Sequence, residues 1–169
     1  LGPLQPRLPE VLRTPTGNIQ LAPTELLEDA ARLLPLPGKS GMVLIGRRDL
    51  RSNNSWMHNL DLLVKGPPVC TMMIHPDDAA RLGLTSGELA RVTSEVGSLE
   101  IAAQLTDAIM PGVISIPHGW GHGARGSRMA VASDHAGVNV NRLIPAGTVE
   151  PLSGNAIQNA VPVTVERLS

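Results

Sequence analysis

The segment RRDLRSNNSWMHN (Arg47–Asn59) sets Arg47, Arg48, Arg51, Ser52, Asn53, Asn54, Ser55 and Asn59 directly behind an apolar run. Guanidinium groups grip phosphate through paired N–H donors, and Ser and Asn add donors and acceptors for ribose and purine edges without a metal. Solvated loops usually carry Lys, Glu and Asp, whereas Arg, Asn and Ser dominate this one. Composition alone leaves ligand binding and plain solvation in balance. A second stretch, HGWGHG (His118–Gly123), follows GVISIP and contains one of the chain's two tryptophans. Its glycines let backbone approach a ligand closely, and Trp120 offers a ring face and an indole N–H. Asn139, Asn141 and Arg142 stand in GVNVNRLIP, and Asn155, Gln158 and Asn159 in SGNAIQNAV. Each amide alone reads as a turn residue. Several together, beside an Arg loop, point to a heterocycle.

Other chemistries lack their residues. His118 and His122 lie four apart in a glycine-rich loop, not on a helix, and no glutamate of the H-E-x-x-H kind accompanies them. Nothing in sequence ties His75, Asp134 or His135 to them as a third ligand, so no protein-ligated metal is expected. The phosphate loop G-x-x-x-x-G-K-[ST], the G-x-S-x-G elbow and G-x-G-x-x-G after a strand are missing. Cys70 is the single cysteine, in the apolar run VCTMMI, and reads as a buried, inert thiol. Asp77 and Asp78 open a helix, where capping explains them.

The elements that must position these groups are mostly short strands. MVLIG, CTMMI, ELARVTS, SEVGSLEIAAQL with a turn at Gly97, GVISI and VPVTVERL read as strands by apolar runs or period-two alternation. HPDDAARLGL is a short helix, with Pro76 in its first turn and Gly83 at its exit. In front of these, Asn18–Leu21 is a strand candidate. TELLEDAARLL is a helix with Thr24 as N-cap, stopped by Pro35 and Pro37. LPLPGKSG then reads as a linker, dividing an irregular lead-in (1–38) from a barrel domain (39–169). Many strands with few helices between them favour a barrel or sandwich over a doubly wound sheet.

A length of 169 residues suits one cored domain. With no Phe or Tyr, the core must be aliphatic. The formal charge of −1 and the scarcity of aromatic platforms disfavour nucleic acid as a partner. No run of about 18 apolar residues is present to insert in a membrane. A chain opening at Leu1 without a signal-like segment is expected to be a piece of a longer, cytoplasmic protein.

Taken in order, LIGRRDLRSNNSWMHN, then MMIHPDDAARLGLTSGELARVTSEVGSLEIAAQLTDAIMPGVISIPHGWG, NVNRLIP and EPLSGNAIQNAVPVTVE resemble the C-terminal domain of molybdopterin-dependent oxidoreductases. That family includes formate dehydrogenases, nitrate reductases and dimethyl sulfoxide reductases. The resemblance runs from Met42 to Leu168, and TPTGNIQLAP resembles the segment leading into the domain. It implies a mainly β fold, a six-stranded double-psi β-barrel with one or two short helices and long loops. It also implies a cofactor, molybdenum or tungsten held by two molybdopterin guanine dinucleotides, capped by this domain. The positions implied to face it are Arg47, Arg51, Ser52, Asn54, Ser55, His118, Trp120, Asn141, Gln158 and Asn159. The metal ligand and iron–sulfur cysteines would come from preceding domains of a large subunit, the implied partner, so the chain alone is not expected to be catalytic. Two other readings stand beside this one. One is a non-catalytic double-psi barrel that binds substrate or peptide, and the other a small hydrolase using the histidines.

Overall fold

A computed structural model describes residues 2–32 and 41–168. They fall into two compact units, one within Leu1–Gly38 plus Pro151–Gly154, the other within Lys39–Glu150 plus Asn155–Ser169. The expected linker, its prolines and the boundary after Gly38 lie outside the described residues, apart from Gly41.

In the first unit, helix α1 spans Thr24–Arg32. The Pro23 carbonyl accepts from the N–H groups of Leu26 and Leu27. Pro23, not Thr24, therefore holds the cap position. Asn18–Leu21, expected as a strand, is irregular. It has no partner strand to complete a ladder among the described residues, and alternation over so few residues carries little weight without one.

In the second unit, β1 (Met42–Arg47), β2 (Met72–Ile74), β3 (Leu89–Thr93), β4 (Ser98–Leu105), β5 (Val113–Pro117) and β6 (Val161–Arg167) close a barrel in the order β1-β5-β2-β4-β3-β6. Two pairs, β1 with β5 and β2 with β4, are parallel, and each joins strands far apart in sequence. This interlocked path is that of a double-psi barrel. Alternation sets the inward faces: Ala90 and Val92 on β3, Leu99, Ile101 and Ala103 on β4, Val161, Val163 and Val165 on β6. They meet Leu44, Met72, Ile74, Ile114 and Ile116 in an aliphatic core, as the absence of Phe and Tyr requires.

Three short helices and one 3-10 turn decorate the barrel: α2 (Asp61–Val64), α3 (Pro76–Leu82), α4 (Ala130–Asp134), and Val140–Leu143 as the turn. Only α3 is legible in sequence. Pro76 opens it, and Gly83 closes it at φ +65°. Asp78 departs from its expected capping role. The cap is His75, which accepts from the Asp77 N–H. Asp78 is buried and binds the Gly112 N–H through Oδ2 at 2.7 Å, pinning α3 to the turn before β5.

Register decides where the chemistry gathers. Because β1 and β5 run parallel with Arg47 opposite Pro117, the loops beginning at Arg48 and at His118 leave from the same end of the barrel. β6 runs antiparallel to β1 with Val161 opposite Leu44, so the approach to β6, carrying Gln158 and Asn159, reaches that end too. β2 is antiparallel to β5 with Met73 opposite Ser115, which brings Val69–Thr71 to the same rim.

Candidate functional site

Two of the cavities among these loops hold expected site residues. The smaller, about 90 Å³, gathers five of the ten expected positions, Arg47, His118, Asn141, Gln158 and Asn159. Gly46, Arg48, Val140 and Ile144 complete its wall, which has two guanidinium groups and no carboxylate. Asn159 Oδ1 accepts from the Gly46 N–H at 2.8 Å, fixing the β6 approach against β1. Asn141 follows Asn139, whose Oδ1 accepts from the Asn141 N–H at 3.0 Å as the 3-10 turn begins.

Arg47 and Arg51, two of the expected positions, bond backbone carbonyls. Arg47 Nη1 donates to the Ser115 carbonyl at 2.5 Å, and Nη2 to the carbonyls of Val69 (3.0 Å) and Thr71 (2.8 Å) and to Thr71 Oγ1 (3.1 Å). Burial pulls the Arg47 guanidinium below its ordinary pKa, opposed by Cys70 and Asp49. Arg51 Nη2 donates to the carbonyls of Leu62 (2.7 Å) and Lys65 (3.1 Å), satisfying acceptors at the end of α2. Arg48, exposed and bonded through Nη1 to Asn54 Oδ1, is the guanidinium that faces the smaller cavity without backbone duties of this kind. Sequence reasoning places Arg48 in the loop but not among the site residues. Period-two alternation, which turns neighbours to opposite sides, is the signal that could have separated it from Arg47.

The larger cavity, about 340 Å³, takes in Arg51, Ser52 and Trp120 of the expected set. Asn54 and Ser55 line neither cavity. Asn54 sits at φ +62° with its carbonyl against Gly119, and the Ser55 carbonyl accepts from the His58 N–H. Gly119, at φ +97°, has no room for a Cβ because the Asn54 carbonyl occupies that space. The loop thus crosses between the cavities, with His118 in the wall of one and Trp120 in that of the other.

His58, absent from the expected set, is central here. It is 1% exposed. Its Nε2 lies 2.8 Å from Ser52 Oγ and its Nδ1 2.7 Å from His122 Nε2. Its ring stacks on Trp120 with centroids 3.9 Å apart and planes 26° askew. Burial lowers the pKa of both imidazoles, and His122 lowers that of His58 further, against a smaller raising effect of Asp49. Asn59 continues the tie, accepting from the Ala132 N–H of α4 at 3.1 Å. Trp120 Nε1 is the buried side-chain donor without a partner among the described residues. A buried, unanswered N–H costs stability, so a wall that keeps one suits a ligand bringing an acceptor.

Cys70, expected to be a buried thiol in a strand, lies just before β2 and is half-buried at the larger cavity. Its Sγ accepts from the Val138 N–H at 3.3 Å, and burial raises its pKa. Among the described residues no group of three or more His, Cys, Asp and Glu side chains is placed to hold a metal ion. None of the described helices is long and apolar enough to cross a membrane.

Residues 42–162 match the family described as the molydopterin dinucleotide binding domain. The chain is 29% identical over 135 residues to the arsenate respiratory reductase molybdopterin-containing subunit of Chrysiogenes arsenatis, covering 77% of this chain and 14% of that protein. A tetrathionate reductase subunit from Salmonella typhimurium is 28% identical over 118 residues, covering 60% of this chain and 12% of its own length. Among solved structures, acetylene hydratase from Pelobacter acetylenicus superposes with a TM-score of 0.63 at 23% identity, over 75% of this chain and 18% of that one. The chain therefore spans about one seventh of the length of the arsenate reductase subunit it matches.

Proposed function

Since the chain belongs to the molybdopterin dinucleotide binding domain family, we propose that it grips the guanine dinucleotide form of that cofactor at the barrel end where the β1, β5 and β6 loops meet. The observation that carries this reading is the smaller cavity, whose wall of Arg47, Arg48, His118 and three amides contains no carboxylate. A diphosphate needs cationic and N–H donors in a wall free of competing anions. Carboxamides can present paired donor and acceptor atoms to a heterocycle edge. The orphan Trp120 Nε1 fits an acceptor on a flat ring system in the larger cavity.

When bound, the cofactor with its molybdenum or tungsten supplies the redox chemistry. The residues of this chain bind it, orient it and set the field around it. Arg48 is the principal charge toward the diphosphate. Asn141 and Gln158 orient the ring edge, while Arg47, Arg51 and Asn159 hold the loops that present these groups. The relatives named as reductases are several times longer. We therefore assign substrate choice, the metal ligand and turnover to other domains of such a protein, which are this domain's partners.

The test is Arg48→Ala in the enzyme that carries this chain, with metal and released guanine nucleotide quantified per protein. One charge-assisted hydrogen bond is worth about 1.5–3 kcal/mol, so retention should fall roughly tenfold or more with unchanged urea stability. Full metal and nucleotide content in the variant would refute the assignment.

A further inference from the structure

His58 and His122 come from loops 64 positions apart, yet their ring nitrogens meet at 2.7 Å. A contact this short between two nitrogens requires one proton between them. The other side of His58 is engaged as well, with Nε2 2.8 Å from Ser52 Oγ. A hydroxyl donates or accepts as needed, so the chain Ser52–His58–His122 is satisfied with both rings neutral, in either direction. It is also satisfied with one added proton. His58 then donates from both nitrogens, to Ser52 Oγ and to His122 Nε2. A second added proton leaves N–H facing N–H, two positive charges in contact, and no acceptor.

We propose that His58 and His122 form a proton-counting clasp between the β1 and β5 loops, closed with zero or one added proton and opened by the second. The pair sits where a second charge is hard to accommodate. His58 is buried beneath Trp120. The titratable and charged groups sharing the larger cavity with it are Asp49, Arg51, Cys70, Asp134 and His135. Of the two carboxylates there, Asp49 acts on His58 and already accepts from the Arg51 N–H at 2.8 Å. Arg51 adds positive charge to the same wall. One nearby anion balances one imidazolium, not two. The fall in both imidazole pKa values, caused chiefly by burial, agrees with this limit.

The clasp joins the loop carrying Ser52 to the loop carrying Trp120, and both line the larger cavity. Opening it removes the stacking partner of Trp120 and unfastens the cavity wall. The device therefore makes access to that cavity sensitive to acid. It rests on the ring geometry alone and stands whether or not the cofactor assignment does.

The experiment is histidine-selective nitrogen NMR on the full chain, following ring nitrogen shifts and the scalar coupling across the His58–His122 N–H···N bridge during acid titration. In parallel, a Trp56→Phe background leaves Trp120 as the single tryptophan fluorophore. The expected result is a bridge coupling that survives the first proton uptake and vanishes with the second. The second uptake should fall well below the ordinary imidazole range and coincide with a change in Trp120 emission. His122→Gln should abolish the coupling and reduce the titration of His58 to one uncoupled step. The proposal is overturned by absence of coupling at any pH, by two rings titrating independently near the ordinary value, or by a Trp120 transition identical in His122→Gln. If that variant does not fold, the coupling in the unmodified chain decides the matter alone.

Discussion

Arg47→Ala separates an arginine that holds the barrel from one that holds a ligand. The guanidinium of Arg47 answers the carbonyls of Ser115, Val69 and Thr71. Thr71 Oγ1 keeps another partner in Gln104 Oε1 at 2.6 Å, so only the three carbonyls lose by truncation. Ser115 is 4% exposed, but it stands opposite Met73 in the β2–β5 ladder, so its carbonyl is not orphaned by truncation. The Val69 and Thr71 carbonyls belong to half-buried residues where water can enter, so each of the three forfeits the net bond, about 0.5–1.5 kcal/mol. The sum, roughly 1.5–4.5 kcal/mol, is a large share of the 5–15 kcal/mol typical of a domain. Urea unfolding of the full chain reads it as a fall in midpoint at constant slope. Arg47→Lys should land between, because an ammonium cannot span three carbonyls as a planar fork does. An Arg47→Ala chain within about 0.5 kcal/mol of the parent, whose holoenzyme nevertheless loses its nucleotide, would show that Arg47 serves the ligand, and the carbonyl argument would fail.

Asp78→Ala strands the Gly112 N–H beside a buried void. It should lower stability by about 1–3 kcal/mol in the same unfolding assay, whereas Asp78→Asn, which keeps an acceptor oxygen, should lose less. Gly119→Ala places a methyl against the Asn54 carbonyl at φ +97°. Backbone strain of about 1–3 kcal/mol and overpacking of similar size should combine to weaken the two loops, seen as faster amide exchange at Asn54 and Ser55. Folded-state pKa values of His58 and His122 lie below the unfolded value, so the unfolded chain binds more protons in the window beneath it. Stability should be full above the ordinary imidazole pKa of about 6.5. It should decline as pH falls through the window, by at most about 1.4 kcal/mol per pH unit per proton. Urea midpoints across that range check it, and His58→Gln combined with His122→Gln should flatten the curve.

The strands were legible because each carries its own signal. Val161, Val163 and Val165 alternate with Pro162, Thr164 and Glu166, and the run Val113–Pro117 has the apolar density of a strand covered on both faces. Of the small helices only α3 was legible; α2 and α4 were not. DLLV and AVASD are too short to show a helical period, and what holds AVASD is a tertiary bond, Asn59 Oδ1 to the Ala132 N–H. The site was half legible for the same reason. Residue types in the loops suggested a polar ligand, and the barrel brings eight of the ten positions to the two cavities. The partnership of His58 with His122 depends on β1 lying parallel to β5 in one register, which composition cannot encode. Period-two alternation could set Arg47 and Arg48 on opposite sides, but not show that Arg47 turns back over the rim onto three backbone carbonyls.

Much of the polar endowment at this rim is spent on fixing the rim itself. Arg47 ties β1 to β5 and to the approach of β2, Arg51 closes α2, and Asn159 ties the β6 approach to Gly46. Ser52 is locked to His58. Of the three arginines in the loop, Arg47 and Arg51 answer backbone carbonyls, while Arg48 lines the smaller cavity bonded to the Asn54 side chain. On the proposed reading, these rim bonds contribute to binding indirectly. Loops already immobilised by folding lose little further conformational freedom when a ligand arrives, and each side chain ordered in advance avoids about 0.5–1.5 kcal/mol at binding. On that reading a few donors, Arg48, the unpartnered Trp120 Nε1 and the exposed amides, can suffice for a large ligand, because the surrounding loops are held by bonds that the ligand need not make.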